Sequence, residues 1–280
     1  MKLLVIGGSG FVGSNILEQL DADEKAYFSR SESEKLKDKG YTYIKGDIRN
    51  YDEVYKAIEG YDIIVHAVDV LKEDDETHED LSLNGMKNIV SAIKKYGKNQ
   101  KIIYFSAINA DNGITSYFRY KRLAEDNANL LSNSLIIRPS TMYGPGDKFT
   151  KMLVDIAKQK VPFLPKSGNM APVYINDVIT VIKNSMEKNG IINVCTKETI
   201  TFGGMFNTVR KKLGLPPVKE VSSFIFKPFI GSLEKRGIIT KDQFYMLKLD
   251  YYKENTSLYR YVKEPMNYGD FINSLDISKI

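Results

Sequence analysis

The sequence predicts an α/β fold: a doubly wound parallel sheet with a smaller, mostly helical C-terminal lobe. Three observations predict it. Short apolar runs alternate with amphipathic helical stretches along the first part of the chain. The first of those runs, KLLVIG, is continuously apolar, and beyond residue 140 the texture changes to closely spaced prolines and then to helix. Continuous apolar runs are what strands buried on both faces of a parallel sheet require. Their separation by helices gives right-handed crossovers. At 280 residues the chain is long for one small domain and short for two large ones. The sheet domain is expected over 1–146, with 173–196 returning to it, and the lobe over 147–172 and 197–280.

The elements follow in order. KLLVIG, from Lys2, is strand one, and Val12, Ile16 and Leu20 then mark a helix by their spacing. KAYFSR is strand two, and Ser31 with Glu34 reads as a capping box. YTYIKGD is strand three, and Asn50 with Glu53 opens the next helix. YDIIVHAV is strand four. Thr77 to Tyr96 is helical, with Leu81, Met86, Ile89, Val90 and Ile93 on one face. KIIYFSA, the helix SYFRYKRLAEDNANLL and SLIIRPS complete the series. Pro145, Pro162, Pro165 and Pro172 then mark turns. INDVITVIKNSM and GIINVC give one more helix and a strand returning to the sheet. In TKDQFYMLKLDYY, Thr240 and Gln243 form a capping box, with Phe244, Leu247 and Tyr251 on one face. Tyrosines 251, 252, 259, 261 and 268 are expected to pack in the lobe with their hydroxyls at the surface.

Composition excludes several function classes. The chain is 42% hydrophobic and 27% charged, ordinary for a globular protein. A net charge of +5 comes from scattered lysines and is too weak for a nucleic-acid surface. The single cysteine, Cys195, rules out an internal disulfide and reads as a buried thiol. With only His66 and His78 beside it, no metal site is expected. MKLLVIGG stops at glycine, far short of a signal peptide or membrane span, so a cytoplasmic protein without a transmembrane helix is expected.

GGSGFVG follows strand one and opens helix one. Gly7, Gly10 and Gly13 give one phosphate-loop spacing, and Gly8, Gly10 and Gly13 another. Glycine permits the tight turn, lets backbone N–H groups approach a pyrophosphate and lets helix pack on strand. The helix N-terminus, starting at Phe11 and Val12, then faces the anion. The domain is therefore expected to be of the Rossmann type and to bind a dinucleotide. Strand two ends in YFSR, so Ser29 and Arg30 stand where an NAD site usually places a carboxylate. NADP(H) is predicted over NAD(H), because Arg30 would welcome a 2′-phosphate. The alternative is that Arg30 stacks on adenine, which suits either cofactor.

Together GGSGFVG, KGDIRN, YFRYK, RPSTMYGPGD and PVYINDV resemble the short-chain dehydrogenase/reductase superfamily in its extended, atypical branch, similar to NAD-dependent epimerases and dehydratases. The resemblance implies that Asp47 and Ile48 lie beside the adenine. It implies that His66, Ala67 and Val68 pass the phosphates and ribose, and that Pro139 starts the segment flanking the nicotinamide. GIITKDQFYMLKLDYYKEN and SAINADNGITSYFRYKRLAED further resemble the nucleotide-binding accessory subunit of respiratory complex I, a structural component rather than an enzyme.

Tyr117 and Lys121 lie one helical turn apart on one face. By the resemblance, the lysine lowers the tyrosine pKa and bonds the nicotinamide ribose, while the tyrosine exchanges a proton with substrate. Active members usually carry two hydroxyls at the end of strand five. Here the pair is Ser106 and Ala107, so Ser106 either contacts the cofactor or, with a one-residue slip, serves as the catalytic hydroxyl. Ser82 stands where asparagine is common. Two functions remain open. One is an NADP(H)-dependent oxidoreductase or epimerase acting on a small carbonyl or hydroxyl compound, nucleotide-linked ones included, through Tyr117, Lys121 and Ser106. The other is a non-catalytic dinucleotide-binding module that acts through a partner, structurally or as a redox sensor. The stretch 222–236 holds Phe224, Ile225, Phe226, Phe229 and Ile230 with Lys227, Lys235 and Arg236. Core packing is its expected role. The alternative is an exposed edge for a protein partner or the membrane periphery. Oligomeric state and substrate are left open.

Overall fold

A computed structural model describes residues 1–70, 76–235 and 240–277, apart from the side chains of 229, 232 and 233. The chain divides into two compact units. The first is Met1–Pro139 with Ile179–Asn193, and the second is Ser140–Val178 with Val194–Ile280.

The first unit is built on a seven-stranded sheet. Its strands are β1 (Lys2–Ile6), β2 (Glu24–Ser29), β3 (Thr42–Lys45), β4 (Ile63–His66), β5 (Lys101–Phe105), β6 (Ser134–Pro139) and β7 (Gly190–Val194), in the order β7-β6-β5-β4-β1-β2-β3. The pairs from β3 through to β6 are all parallel. The order reverses between β1 and β4, so the loops leaving those two strands open into one crevice, where doubly wound sheets bind ligands. The helices are α1 (Phe11–Gln19), α2 (Glu34–Asp38), α3 (Tyr51–Ile58), α4 (Gly85–Tyr96) and α5 (Ser116–Ala128).

Both faces of the sheet are covered at its centre, which is why the central strands are so apolar, whereas the edge strand β3, TYIK, has exposed ends. Leu4, Ile6, Phe28, Ile64, Ile102, Tyr104 and Ile136 share one core with Val54, Ile58, Met86, Ile89, Ile93 and Ala124 from α3, α4 and α5. The alternate residues Leu3, Val5, Val65, Ile103 and Leu135 are also fully buried. Each such side chain contributes roughly 1.5–3 kcal/mol by leaving water.

Local starts agree with the sequence in part. Asn50 caps α3 by accepting from the N–H groups of Asp52 and Glu53. The Ser31–Glu34 box does not form. Helix α2 begins at Glu34 itself, with Ser33 as an uncapped N-cap, so Glu34 cannot occupy the third helical position that a box requires. The Thr77–Tyr96 helix is interrupted as well, because Glu79–Asn84 is π-helical before α4 begins.

The second unit has its own core, in which Tyr143, Leu153, Val154, Met205, Phe206, Val209, Phe271 and Ile272 meet. The Thr240–Gln243 capping box is present, but its helix stops at Met246. Tyr251 therefore leaves that face and bridges to Met170. The Tyr268 hydroxyl is buried, against the expectation of surface hydroxyls. Core packing fails for part of 222–236. Phe224 and Ile225 are 70% and 52% exposed, whereas Phe226 stacks on Phe163, with ring centroids 5.7 Å apart. Ser223–Phe229 is a 3-10 helix containing Pro228, and such a tight winding spreads successive side chains around its axis. Arg236 lies outside the described residues. No helix among the described residues is long and apolar enough to cross a membrane.

Candidate functional site

All the residues singled out for the site fall in the first unit. The loop after β1 needs its glycines. Gly7 has φ +86°, a left-handed conformation that side chains resist. A Cβ on Gly13 would lie 2.3 Å from the Gly7 carbonyl oxygen and 2.7 Å from the Gly8 Cα, and one on Gly8 would lie 2.4 Å from the Tyr27 Cβ. The Gly10 N–H donates to the Gly7 carbonyl at 3.0 Å, closing the turn. Gly10 is also the N-cap of α1. It offers no side chain to its first turn, and that turn, Phe11–Val12–Gly13, holds no acidic residue. The first N–H groups of α1 are thus available to an anion, and glycine would permit its close backbone approach. A pyrophosphate fits this cradle.

The end of β2, where the sequence places a ribose contact, is crowded with charge. The Ser29 hydroxyl donates to the Ser31 carbonyl at 2.7 Å. The Arg30 guanidinium is paired with Glu76 through contacts of 2.7 and 3.1 Å. Asp47 accepts from Arg49 at 3.0, 3.1 and 2.5 Å, which holds its carboxyl below the usual range. The Ile48 side chain is buried and would touch any Cβ on Gly85; its carbonyl accepts from Asn88 at 2.9 Å.

His66 closes β4 and is fully buried. Its Nε2 faces the Leu81 carbonyl at 3.1 Å, and its Nδ1 accepts from the Val68 N–H at 3.4 Å. A carbonyl can only accept, so Nε2 carries the proton and the ring is neutral. Burial pushes its pKa down to about 3, and the nearby Lys121 charge adds to this. The ring thereby fixes the Ala67–Val68 turn against the glycine loop: a Cβ on Gly7 would lie 2.7 Å from Val68 and 3.1 Å from Ala67.

The cluster around the Tyr117–Lys121 spacing centres on Lys121, whose side chain is 4% exposed. Its Nζ donates to the Phe105 carbonyl at 2.8 Å and pairs with Asp69 at 2.7 Å. Burial alone would lower the Lys121 pKa; the Asp69 carboxylate and Tyr117 outweigh it, and the net shift is upward. Asp69 is likewise opposed by its own burial, yet Lys121 and His78 bring its carboxyl down to about 2. The second Asp69 oxygen meets His78 Nδ1 at 3.0 Å. Tyr117 lies over this group, its ring 5.0 Å from the His78 ring and 5.7 Å from Lys121 Nζ. Ser106 does not join them. Its hydroxyl donates to Glu125 at 2.5 Å, and Glu125 also accepts from Arg138 twice, at 2.7 and 2.5 Å. Ala107 beside it is buried. Pro139 ends β6.

Sequence reading missed Asp69, His78, Glu125 and Arg138. A signal for two of them existed. Asp69 follows directly on His66–Val68, and Glu125 continues the four-residue spacing of Tyr117 and Lys121. Nothing in the sequence ties His78 to Asp69 or Arg138 to Glu125. Among the described residues, no group of three His, Cys, Asp or Glu side chains could hold a metal ion.

The strand order and glycine loop define a doubly wound nucleotide-binding fold. The family model described as the 3-beta hydroxysteroid dehydrogenase/isomerase family matches residues 4–119. The chain is 26% identical over 204 residues to the 3-beta-hydroxysteroid dehydrogenase of Mycolicibacterium neoaurum, covering 60% of this chain and 56% of that one. It is 26% identical over 214 residues to the N-acetyl-alpha-D-glucosaminyl-diphospho-ditrans,octacis-undecaprenol 4-epimerase of Escherichia coli O157:H7, covering 66% and 63%. The chain thus spans little more than half the length of the first of these curated relatives. The Bordetella bronchiseptica enzyme WbmG, solved in complex with NAD, shares the fold at TM-score 0.77 and 18% identity, over 100% of this chain and 94% of that one. Over residues 4–119 the chain is thus similar to the 3-beta hydroxysteroid dehydrogenase/isomerase family, and its fold is that of NAD-binding extended short-chain dehydrogenase/reductase-type structures.

Two outcomes follow. Gly13→Ala should destabilise the protein by about 1–3 kcal/mol in denaturant unfolding, because backbone meets the new Cβ on both sides. Gly10→Ala should cost less, since its nearest atom is 3.3 Å away. Second, His66 titrates from 6.5 in the unfolded chain to about 3 in the fold. The unfolded chain therefore binds the extra proton in that window, and stability is complete above pH 6.5 and lost as pH falls through it. Unfolding free energy should drop by up to about 1.4 kcal/mol per pH unit. Between about pH 6 and the Asp69 window below 3.8, His66→Gln should flatten that slope.

Proposed function

We propose that this protein is an NADP(H)-dependent oxidoreductase acting on a small carbonyl or hydroxyl compound. The observation that carries the reading is the Lys121 ammonium, held between Asp69 and the Phe105 carbonyl beneath Tyr117. The superfamily supports it, as do the pyrophosphate cradle at Gly7–Gly13 and the cation at Arg30. The bound dinucleotide would supply or take up a hydride at the substrate carbon. In the reducing direction the Tyr117 phenol gives its proton to the carbonyl oxygen, which becomes the product hydroxyl, and the phenolate is reprotonated from solvent. The Lys121 charge stabilises that phenolate through the few ångströms between them. Asp69 keeps the ammonium charged and in place.

Ser106 has no part in this scheme, because its hydroxyl belongs to Glu125. That same bond, with Ala107 as its neighbour, favours a second reading: a module that binds the dinucleotide without turnover.

The two readings separate in one set of assays. A panel of small aldehydes, ketones and nucleotide-linked sugars is screened for NADPH consumption, with NADPH affinity followed by fluorescence. The oxidoreductase is expected to turn over at least one class, and Tyr117→Phe to lose about 10²- to 10⁴-fold in rate while binding NADPH as before. NADPH binding without turnover across the panel is the outcome of the binding module. Turnover that survives Tyr117→Phe undiminished refutes the assigned proton donor.

A further inference from the structure

Arg30 stands at the end of β2, where a bare cation would attract a 2′-phosphate. In the fold it is not bare. Both of its terminal nitrogens are taken by the two oxygens of Glu76, at 2.7 and 3.1 Å. Glu76 arrives from the far side of β4 in the chain and keeps only 21% of its side chain exposed, against 59% for Arg30. The carboxylate is thus the more enclosed member, laid across the face that a phosphate would use.

The neighbouring pair is of the same kind. Arg49 grips Asp47. After that contact with Arg49, the Arg30 charge still helps to hold the Asp47 carboxyl down. The Glu76 charge is felt at Arg49, behind the larger effect of Asp47. Two cations and two carboxylates therefore lie within each other's fields and cancel. Glu76 occupies the end-on edge of the Arg30 guanidinium, its two terminal nitrogens, so a phosphate that docks bidentately on that edge must displace it. A ribose 2′-hydroxyl is different. It can donate to a carboxylate without evicting anything, as acidic residues do at NAD sites.

We propose that Glu76 is a specificity-determining residue: a tethered competitor that restrains 2′-phosphate binding at Arg30 while tolerating the unphosphorylated ribose. This rests on the dinucleotide reading above and fixes how far that site favours NADP(H) over NAD(H). Arg30 supplies the attraction, and Glu76 sets its ceiling.

The test uses the adenosine halves alone, 2′,5′-ADP and 5′-AMP, titrated calorimetrically into the wild type, Glu76→Gln, Arg30→Ala and the double variant. Glu76→Gln is expected to tighten 2′,5′-ADP by roughly three- to tenfold and to leave 5′-AMP unchanged. That gain should vanish in the double variant and shrink at high salt. Arg30→Ala alone should weaken 2′,5′-ADP. If Glu76→Gln leaves the ratio of the two affinities unchanged, or tightens both ligands equally, the inference is overturned while the dinucleotide reading stands. If Arg30→Ala does not weaken 2′,5′-ADP, Glu76 has nothing to compete for and the inference falls. Binding of neither ligand to any variant overturns the dinucleotide reading and this inference together. Melting temperatures close to wild type in every variant confirm that folding is not the cause.

Discussion

One buried ion pair orders the Tyr117–Lys121 cluster of this protein. Asp69 and Lys121 meet at 2.7 Å, with the lysine almost wholly enclosed and the carboxylate still 22% open. Each charge is opposed by its own burial and rescued by the other. Removing one partner leaves an uncompensated charge in a low-dielectric setting, the costly way to break such a pair. The pair also joins separate parts of the chain. Asp69 leaves β4 just past the crevice where the strand order reverses, and Lys121 belongs to the helix after β5. His78 and Tyr117 are stacked on the same pair, so four chemically active side chains share one anchor.

The same economy explains the serine. A hydroxyl at Ser106 lies near the expected place, but Glu125 is fully buried and already bound to Arg138. A buried carboxylate draws in every donor within reach, since each unmade hydrogen bond there is costly. Ser106 is the donor at hand. The Tyr117–Lys121 cluster is thereby left with a phenol and an ammonium but without a serine hydroxyl beside them. This is the physical ground on which an enzyme and an idle binder of the same dinucleotide diverge.

Much of the fold could be read in advance because it rests on local pattern. Apolar-rich runs marked the strands of the main sheet, unbroken in β1 and mixed with polar residues in β2 and β3, and the glycine spacing marked the phosphate loop through steric demands that act over seven residues. Asn50 and Thr240 announced their helices correctly because caps are local devices. The failures were of another kind. Ser31 had the right partner three residues on, but the helix began later. Phe224 and Ile225 looked like core by composition, yet a short 3-10 helix turned them outward. Of the candidate site, Tyr117 and Lys121 were legible as a spacing. Their setting was not, because the pairing of Asp69 with Lys121 and His78, of Glu76 with Arg30, and of Ser106 with Glu125 joins residues far apart in sequence. Periodicity carries no record of such contacts.

The most direct measurement on this account is a double-mutant cycle over Asp69→Asn and Lys121→Met, read by denaturant unfolding at neutral pH. Each single change is expected to cost about 3–5 kcal/mol. The double variant should recover a large part of that loss, giving a coupling well above the roughly 0.5 kcal/mol at which independent sites add. Strictly additive losses would contradict the claim that this pair holds the site together.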